Sequence, residues 1–321
     1  MHFVTAMSHR SHGSPVFVEP TAAVTDTSDP APNKEATMFL STITHRIRHI
    51  RVVLATMLIG IVSLATIGLL PTMSASSAGH ARTRPTIVLV HGSFADASGF
   101  NDVIQRLQAF GYTTIAPSNP LRGVTSDAAY IRSVLDSIDG PIVVVAHSYG
   151  GMVITNAATG NPNVKALVYV NGFAPAEGET VNDLAYKFPG SMLVPENLTI
   201  RAYPTTDPAE SGQEAYINAD VFREAFAADV DRHTTAEMAA TQRPIDLAAL
   251  AQPSAVPAWK TIPSWFVIGK DDNTIPAALH RFMAQRAGAI RTVELSASHA
   301  LMISQPAAVV GVILEAARYK Q

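Results

Sequence analysis

Residues 141–151 read Pro-Ile-Val-Val-Val-Ala-His-Ser-Tyr-Gly-Gly, and this stretch decides the fold. The run Ile142 to Val145 is β-branched and too short for a helix, which fits a central parallel strand covered on both faces. The chain must then turn sharply into a helix. A turn that tight leaves no room for bulky side chains two residues either side of the serine, and those places hold Ala146 and Gly150. Such a turn lifts the Ser148 hydroxyl above the carboxyl edge of a sheet. It also puts the N–H of Tyr149 at a helix start, where developing negative charge is stabilised. Ser148 is therefore the candidate nucleophile and the Tyr149 amide a candidate oxyanion donor.

Outward from this turn, short apolar or β-branched runs predict strands at Thr86 to Val90, Thr113 to Ala116, Ile142 to Val145, Val164 to Val170, Trp265 to Ile268 and Thr292 to Leu295. Three- and four-residue apolar spacing predicts helices over Gly99 to Phe110, Ser126 to Ile138, Gly150 to Thr159, Ala277 to Ala287 and Pro306 to Tyr319. Alternation of this kind means an α/β fold with a mostly parallel sheet and helices on both faces. One segment breaks the rhythm. From about 175 to 263 no core strand is evident, and helical patches near Ala219 to Val230 and Thr234 to Gln242 sit among Pro-rich connections. This segment reads as a helical cap inserted into the domain. Its Phe188, Met192, Leu193, Tyr203, Tyr216, Phe222 and Phe226 are candidates for an apolar pocket, with packing of the cap on itself the expected role for most.

A serine hydroxyl needs a base within hydrogen-bond reach, and the base needs an orienting carboxylate. His299 follows the last expected strand and precedes the final helix, at the same carboxyl edge as Ser148. Asp271 and Asp272 follow the strand Trp265 to Ile268. The spacing Gly269-x-x-Asp272-x-x-Ile275-Pro276 selects Asp272 and leaves Asp271 as a solvated neighbour. The loop Val90-His91-Gly92-Ser93-Phe94 after the first strand supplies the second oxyanion donor, assigned to the Ser93 N–H. Gly92, whose backbone passes close to a bound carbonyl, and Phe94 are the expected substrate contacts. His91 and His147 are expected to set loop hydrogen bonds, His233 and His280 to lie at the surface, and Gln242-Arg243-Pro244 to end a helix.

The rest of the chain bounds the setting. Its 321 residues begin with a Thr-, Ser-, Pro- and His-rich segment, 1–37, that reads either as disordered or as an extension upstream of a start at Met38. Residues 38–81 have the pattern of an export signal: basic residues before an uncharged run from Val52 to Leu70, then small residues up to a cleavage point near Ala78. The same run 52–70, if retained, would anchor the protein in a membrane, and either way residues 82–321 fold as one domain outside the cytoplasmic membrane. There is no cysteine, which removes disulfides, thiol catalysis and zinc-thiolate sites. With 23 basic and 26 acidic residues, well mixed, nucleic acid is not an expected partner. No metal-ligand spacing of the His-Glu-x-x-His kind is present.

His91-Gly92-Ser93-Phe94, His147-Ser148-Tyr149-Gly150-Gly151, Ala166 to Val170, Trp259 to Trp265, Asp272 to Pro276 and Ser298-His299 together resemble the α/β-hydrolase superfamily over about residues 84 to 319. More closely they resemble its cap-bearing branch of plant-type methylesterases, hydroxynitrile lyases and bacterial carboxylesterases of the pyrethroid-hydrolase kind. The chain order Ser, Asp, His is that superfamily's order. The resemblance implies chemistry free of metal and cofactor, with acyl transfer from a small-molecule ester to Ser148 and hydrolysis by water. It leaves open a hydroxynitrile lyase or a cofactor-free perhydrolase or haloperoxidase with the same triad, and a binding protein of the same fold without turnover. A hydroxynitrile lyase of this branch normally has Lys directly after the catalytic His and Thr in place of the loop Gly, whereas here those positions hold Ala300 and Gly92.

Overall fold

The computed structural model describes residues 84–207 and 210–320. The segment 1–37 and the export segment 38–81 lie outside the described residues. Nine strands are described: β1 (Thr86–Val90), β2 (Thr114–Ile115), β3 (Ile142–Ser148), β4 (Val164–Gly172), β5 (Leu198–Pro204), β6 (Ser211–Ile217), β7 (Ile245–Asp246), β8 (Ser264–Gly269) and β9 (Arg291–Leu295). Six of them form one parallel sheet in the order β2-β1-β3-β4-β8-β9. Each of the six expected strands is present. The strands β3 and β4 run further than expected, to Ser148 and Gly172.

Period-two alternation splits the sheet's side chains between two cores. Ile87, Leu89, Val143, Val145 and Val168 pack on one face against Val103 and Leu107 of α1 (Asn101–Ala109) and Val309 and Ile313 of α10 (Pro306–Arg318). Val88, Val90, Val144, Leu167 and Tyr169 face the other way, against α2 (Val124–Asp136), α3 (Tyr149–Ala157) and α8 (Ala277–Arg286). Both faces of β3 are covered, so its uninterrupted apolar run has no solvated side to mark with polar residues. In register, Val88 pairs with Val144 and Val90 with Ala146. The chain leaves β1 for β2 on one side and returns to β3 on the other. The loops after β1 and β3 therefore part at the carboxyl edge, the place where open α/β sheets hold their ligands.

Between β4 and β8 lies the cap. It contains the two expected helical patches as α5 (Ala219–Phe226) and α6 (Arg232–Thr241), and two shorter helices, α4 (Val181–Ala185) and α7 (Leu247–Ala251). It also contains a three-stranded antiparallel sheet, β5-β6-β7, in addition to the expected helices. The cap is tied down by backbone: Asp246 N–H donates to Leu121 O (3.0 Å), Phe94 N–H to Arg243 O (2.8 Å), Met192 N–H to Asn273 O (2.7 Å) and Ala300 N–H to Phe226 O (3.0 Å). The Arg122 guanidinium adds an ion pair to Glu214 at 2.8 Å and lies over the Tyr203 ring.

Candidate active site

Ser148 ends β3 with φ 54° and ψ −127°, a conformation that L residues rarely adopt. Holding it costs of the order of 1–3 kcal/mol and persists only where the surroundings over-determine it. The surroundings here are backbone. A β-carbon on Gly150 would fall 2.5 Å from Val90 O, and one on Gly151 would fall 2.3 Å from Phe173 O. The Phe173 N–H holds Ser148 O at 3.1 Å. The small residues of the turn are thus fixed by close approach of the β1 and β4 ends. Gly92 belongs to the same crowding: a β-carbon there would lie 2.5 Å from Ser148 Cβ and 3.1 Å from its Oγ. The absence of a side chain at Gly92 thus lets the loop after β1 pack directly on Ser148.

His299 and Asp272, the expected base and carboxylate, come together. His299 Nδ1 lies 2.8 Å from Asp272 Oδ2, and both side chains are fully buried. Asp272 Oδ1 accepts the N–H groups of Thr274 and Ile275, each at 2.8 Å. Burial works to raise the Asp272 carboxyl, but the adjacent His299 and the hydrogen bonds from His280 and His299 outweigh it and hold the carboxyl well below its ordinary range. Asp272 is therefore an acceptor, and His299 donates through Nδ1–H. His299 Nε2 is then the lone-pair nitrogen, buried and without a hydrogen bond among the described residues. The Ser148 hydroxyl does not close on it in this structure. Such catalytic hydrogen bonds commonly tighten only when substrate is bound. Asp271 is exposed, as expected.

His91 and His147 hold loops, as their positions implied. Asn119 N–H donates to His91 Nε2 (2.9 Å), so the His91 proton sits on Nδ1 and reaches Gly92 O at 2.9 Å. His147 Nε2 donates to His299 O at 3.0 Å. Burial holds both imidazoles below their ordinary range, His147 far below, with His299 adding to the effect. Gln242 caps the end of α6, its Oε1 accepting Ile217 N–H and its Nε2 donating to Ile217 O, both at 2.9 Å. His233 is exposed, but His280 is not. The expectation of a surface position for His280 is corrected: it is 0% exposed, and its Nε2 lies 3.1 Å from Asp272 Oδ2. Its position on α8 beside Leu279, with Met283 and Ala284 one turn on, was the signal, since those spacings put it on the buried face.

Ser148, Tyr149, Ser93 and Phe94 all line a cavity of about 440 Å³ beneath the cap. Its walls are mainly apolar, with Phe173, Leu193, Leu198, Leu247 and Leu250 among them, and no Asp, Glu, Lys, Arg or His lines it among the described residues. Of the seven cap residues considered for a pocket, Leu193 alone lines it. Phe222 and Phe226 are fully buried, and Phe226 packs its ring against His299 and His147. The Tyr149 N–H opens α3, where leading amides have no partner within the helix. Its phenol donates to Asp127 at 2.9 Å, and burial together with that carboxylate pushes its ionisation far up, so the hydroxyl is no acid or base at neutral pH. What Tyr149 offers the cavity floor is its backbone.

A parallel sheet with its switch point at β1 and β3, a strained serine turn there, and a buried His–Asp pair behind it define a protein of the α/β-hydrolase type. The chain belongs to the Alpha/beta hydrolase family, whose profile matches residues 87–312. It is 26% identical over 250 residues to the α/β hydrolase nvfD of Aspergillus novofumigatus, covering 73% of this chain and 97% of that protein. It is 27% identical over 248 residues to the pyrethroid hydrolase of Sphingobium wenxiniae, covering 68% and 83%. Among solved structures, polyneuridine aldehyde esterase superposes with a TM-score of 0.63 at 19% identity, covering 73% of this chain and 99% of that one. At that identity the likeness is one of fold.

Proposed function

We propose that this protein is a serine carboxylesterase acting on uncharged, mainly apolar esters of small to medium size. The observation that carries the reading is the strained Ser148, backed by the buried His299–Asp272 pair and opening on a cavity without charged walls. Ser148 Oγ attacks the ester carbonyl carbon while its proton passes to His299 Nε2. The carbonyl oxygen becomes an oxyanion facing the amides of Ser93 and Tyr149. Collapse breaks the carbon–oxygen bond, and the departing alkoxide takes the proton from His299. Water then repeats the attack on the acyl-serine, with His299 accepting its proton and returning it to Ser148 as the acid leaves. Asp272 stays ionised throughout and stabilises the imidazolium. A carboxylate or ammonium on the substrate would be buried without a counter-charge in this cavity, which sets the preference for neutral esters.

Relatives named as esterases and hydrolases support ester cleavage as the reaction. The export pattern of 38–81 adds a location outside the cytoplasmic membrane, an inference from sequence that intact mass and amino-terminal sequencing of the processed protein test. Hydrolysis of a p-nitrophenyl ester series from acetate to palmitate, with Ser148→Ala as control, tests the activity. Serine-dependent turnover with an optimum at short or medium chains is expected. Turnover that survives in Ser148→Ala, or none on any ester, would overturn it.

A further inference from the structure

Asp272 receives more than the orientation of one imidazole requires. Its Oδ1 is fixed by two backbone amides, while Oδ2 is shared by two histidines: His299 through Nδ1 at 2.8 Å and His280 through Nε2 at 3.1 Å. All three side chains are fully buried. A carboxylate only accepts, so each nitrogen touching it carries the hydrogen. His280 Nδ1 has no partner among the described residues. With no acceptor against it, that nitrogen fits the bare lone pair of the Nε2-protonated tautomer. A side chain present only to fill the buried face of α8, beside Leu279 and Met283, needs no N–H.

The cluster has few other charged neighbours. From β3, the His147 ring lies 4.5 Å from that of His299, with His91 beyond it. From the cap, α5 presents the Phe226 ring to His299 and Ala225 O to the Thr274 hydroxyl, while Asp229 meets the Ser298 hydroxyl. Asp271 is exposed and gives its N–H to Ala297 O. Among the described residues no Lys or Arg side chain bonds Asp272, so two imidazole N–H groups satisfy its second oxygen.

We propose that His280 is a positioning residue acting through Asp272: its Nε2–H holds Oδ2 in place and draws off part of the negative charge that would otherwise act on His299. This rests on the reading of Ser148, His299 and Asp272 as the catalytic set. Two consequences follow from removing the donor. The carboxylate gains freedom to turn away from His299, which lowers kcat. The charge left on Oδ2 is less shared, which favours the imidazolium form of His299 and moves the acidic limb of activity upward.

The test is kcat/KM against pH on p-nitrophenyl butyrate for the wild type, His280→Leu and His280→Gln, with circular dichroism to establish folding. In His280→Leu the acidic limb is expected to rise by roughly half a unit or more, with kcat several-fold lower. His280→Gln, which keeps a side-chain N–H, is expected to stay near the wild-type limb. A folded His280→Leu with an unmoved limb, or Gln and Leu variants that shift alike, would overturn the proposal. Nitrogen-15 histidine spectra of the wild-type protein decide the matter without a variant. A His280 ring protonated at Nε2 and bare at Nδ1 is expected, and a proton on Nδ1 alone would overturn it. If the wild type turns over no ester at any pH, the esterase reading is what fails, and the tautomer measurement still decides whether His280 donates to Asp272.

Discussion

At the serine turn a single methyl group has nowhere to go, whereas across the cavity large side chains stand half in water. A β-carbon on Gly151 would meet Phe173 O at 2.3 Å. In the cap, Ile200 on β5 is 45% exposed and Tyr186 is 77% exposed, and both line the same cavity as Ser148. One wall of the site is therefore fixed by backbone packed against backbone, and the other by side chains with few neighbours. On the proposed mechanism chemistry depends on the first, because reacting atoms must be held to fractions of an ångström. On the same mechanism substrate choice would depend on the second, where a change of side chain alters the cavity without disturbing the sheet.

The sharpest division between the walls is Ser148→Ala. Turnover should fall by about 10⁴-fold or more while the thermal midpoint stays near that of the wild type. Steady-state kinetics beside a melting curve check this, and a small loss of rate would mean that the fixed wall is not where the chemistry occurs. The crowding itself is tested by Gly151→Ala, expected to cost roughly 1–3 kcal/mol in urea unfolding as the methyl displaces main chain. Gly311 on α10 is the control. A β-carbon there meets nothing within 4 Å, so Gly311→Ala should leave stability unchanged or raise it by up to about 1 kcal/mol.

Acid stability sharpens the same contrast, because the groups that make the fold acid-sensitive belong to the fixed wall. Burial depresses His147 well below its ordinary value, so below an unfolded-state value of about 6.5 the unfolded chain takes a proton that the fold does not. Stability must then fall as pH drops through that region, by about 1.4 kcal/mol per unit for each such histidine, and His91 acts in the same direction. Asp272 adds a second loss lower down. Its folded carboxyl titrates far below its unfolded value near 4, so its pairing stabilises the fold above that pH and is lost as pH falls below it. Urea midpoints from pH 8 to pH 3 should show both stages. His147→Gln should shallow the first by about one proton and leave the second in place.

The same contrast explains what the sequence disclosed. The fixed wall was legible because tight packing restricts residue types. Ala146, Gly150 and Gly151 mark the turn, the covered faces of β3 leave an unbroken β-branched run, and Gly269-x-x-Asp272 marks the acid loop. The cap strands were not legible. Most of β5 is exposed, so Thr199, Ile200, Arg201 and Ala202 answer to no buried face and show no useful alternation. Most of the aromatic cap residues pack rather than line the cavity, as expected: Phe222 and Phe226 are fully buried, Phe226 against His147 and His299, while Leu198, Leu247 and Leu250, which no motif marked, form part of the wall. His280 was missed because a lone histidine on an amphipathic helix reads as polar surface unless its helical phase is followed.

Phe94 stands where the two walls meet. It has φ 59° and lines both the cavity holding Ser148 and a neighbouring groove of about 750 Å³ bounded by α6 and Met302. Phe94→Ala should join the two spaces and move the preferred acyl chain longer. Relative kcat/KM for a long over a short p-nitrophenyl ester should rise several-fold, since each methylene newly buried contributes roughly 0.8 kcal/mol. An unchanged profile with turnover retained would mean that the acyl chain lies elsewhere in the cap.

The smallest expected effect belongs to Tyr186, at the cavity mouth. Its ring is mostly in water with or without substrate, so Tyr186→Ala removes little buried area and should leave the melting temperature unmoved. A bound medium-chain ester would cover only part of the ring, and losing that contact should raise KM by about two- to fivefold, equivalent to about 0.5–1 kcal/mol. Because the contact is made equally before and during the reaction, kcat should not change. That split separates the walls more finely than a large effect does. A fall in kcat from so exposed a residue would mean that the cap closes further when substrate binds and takes part in aligning it, and the division of labour between the walls would have to be redrawn.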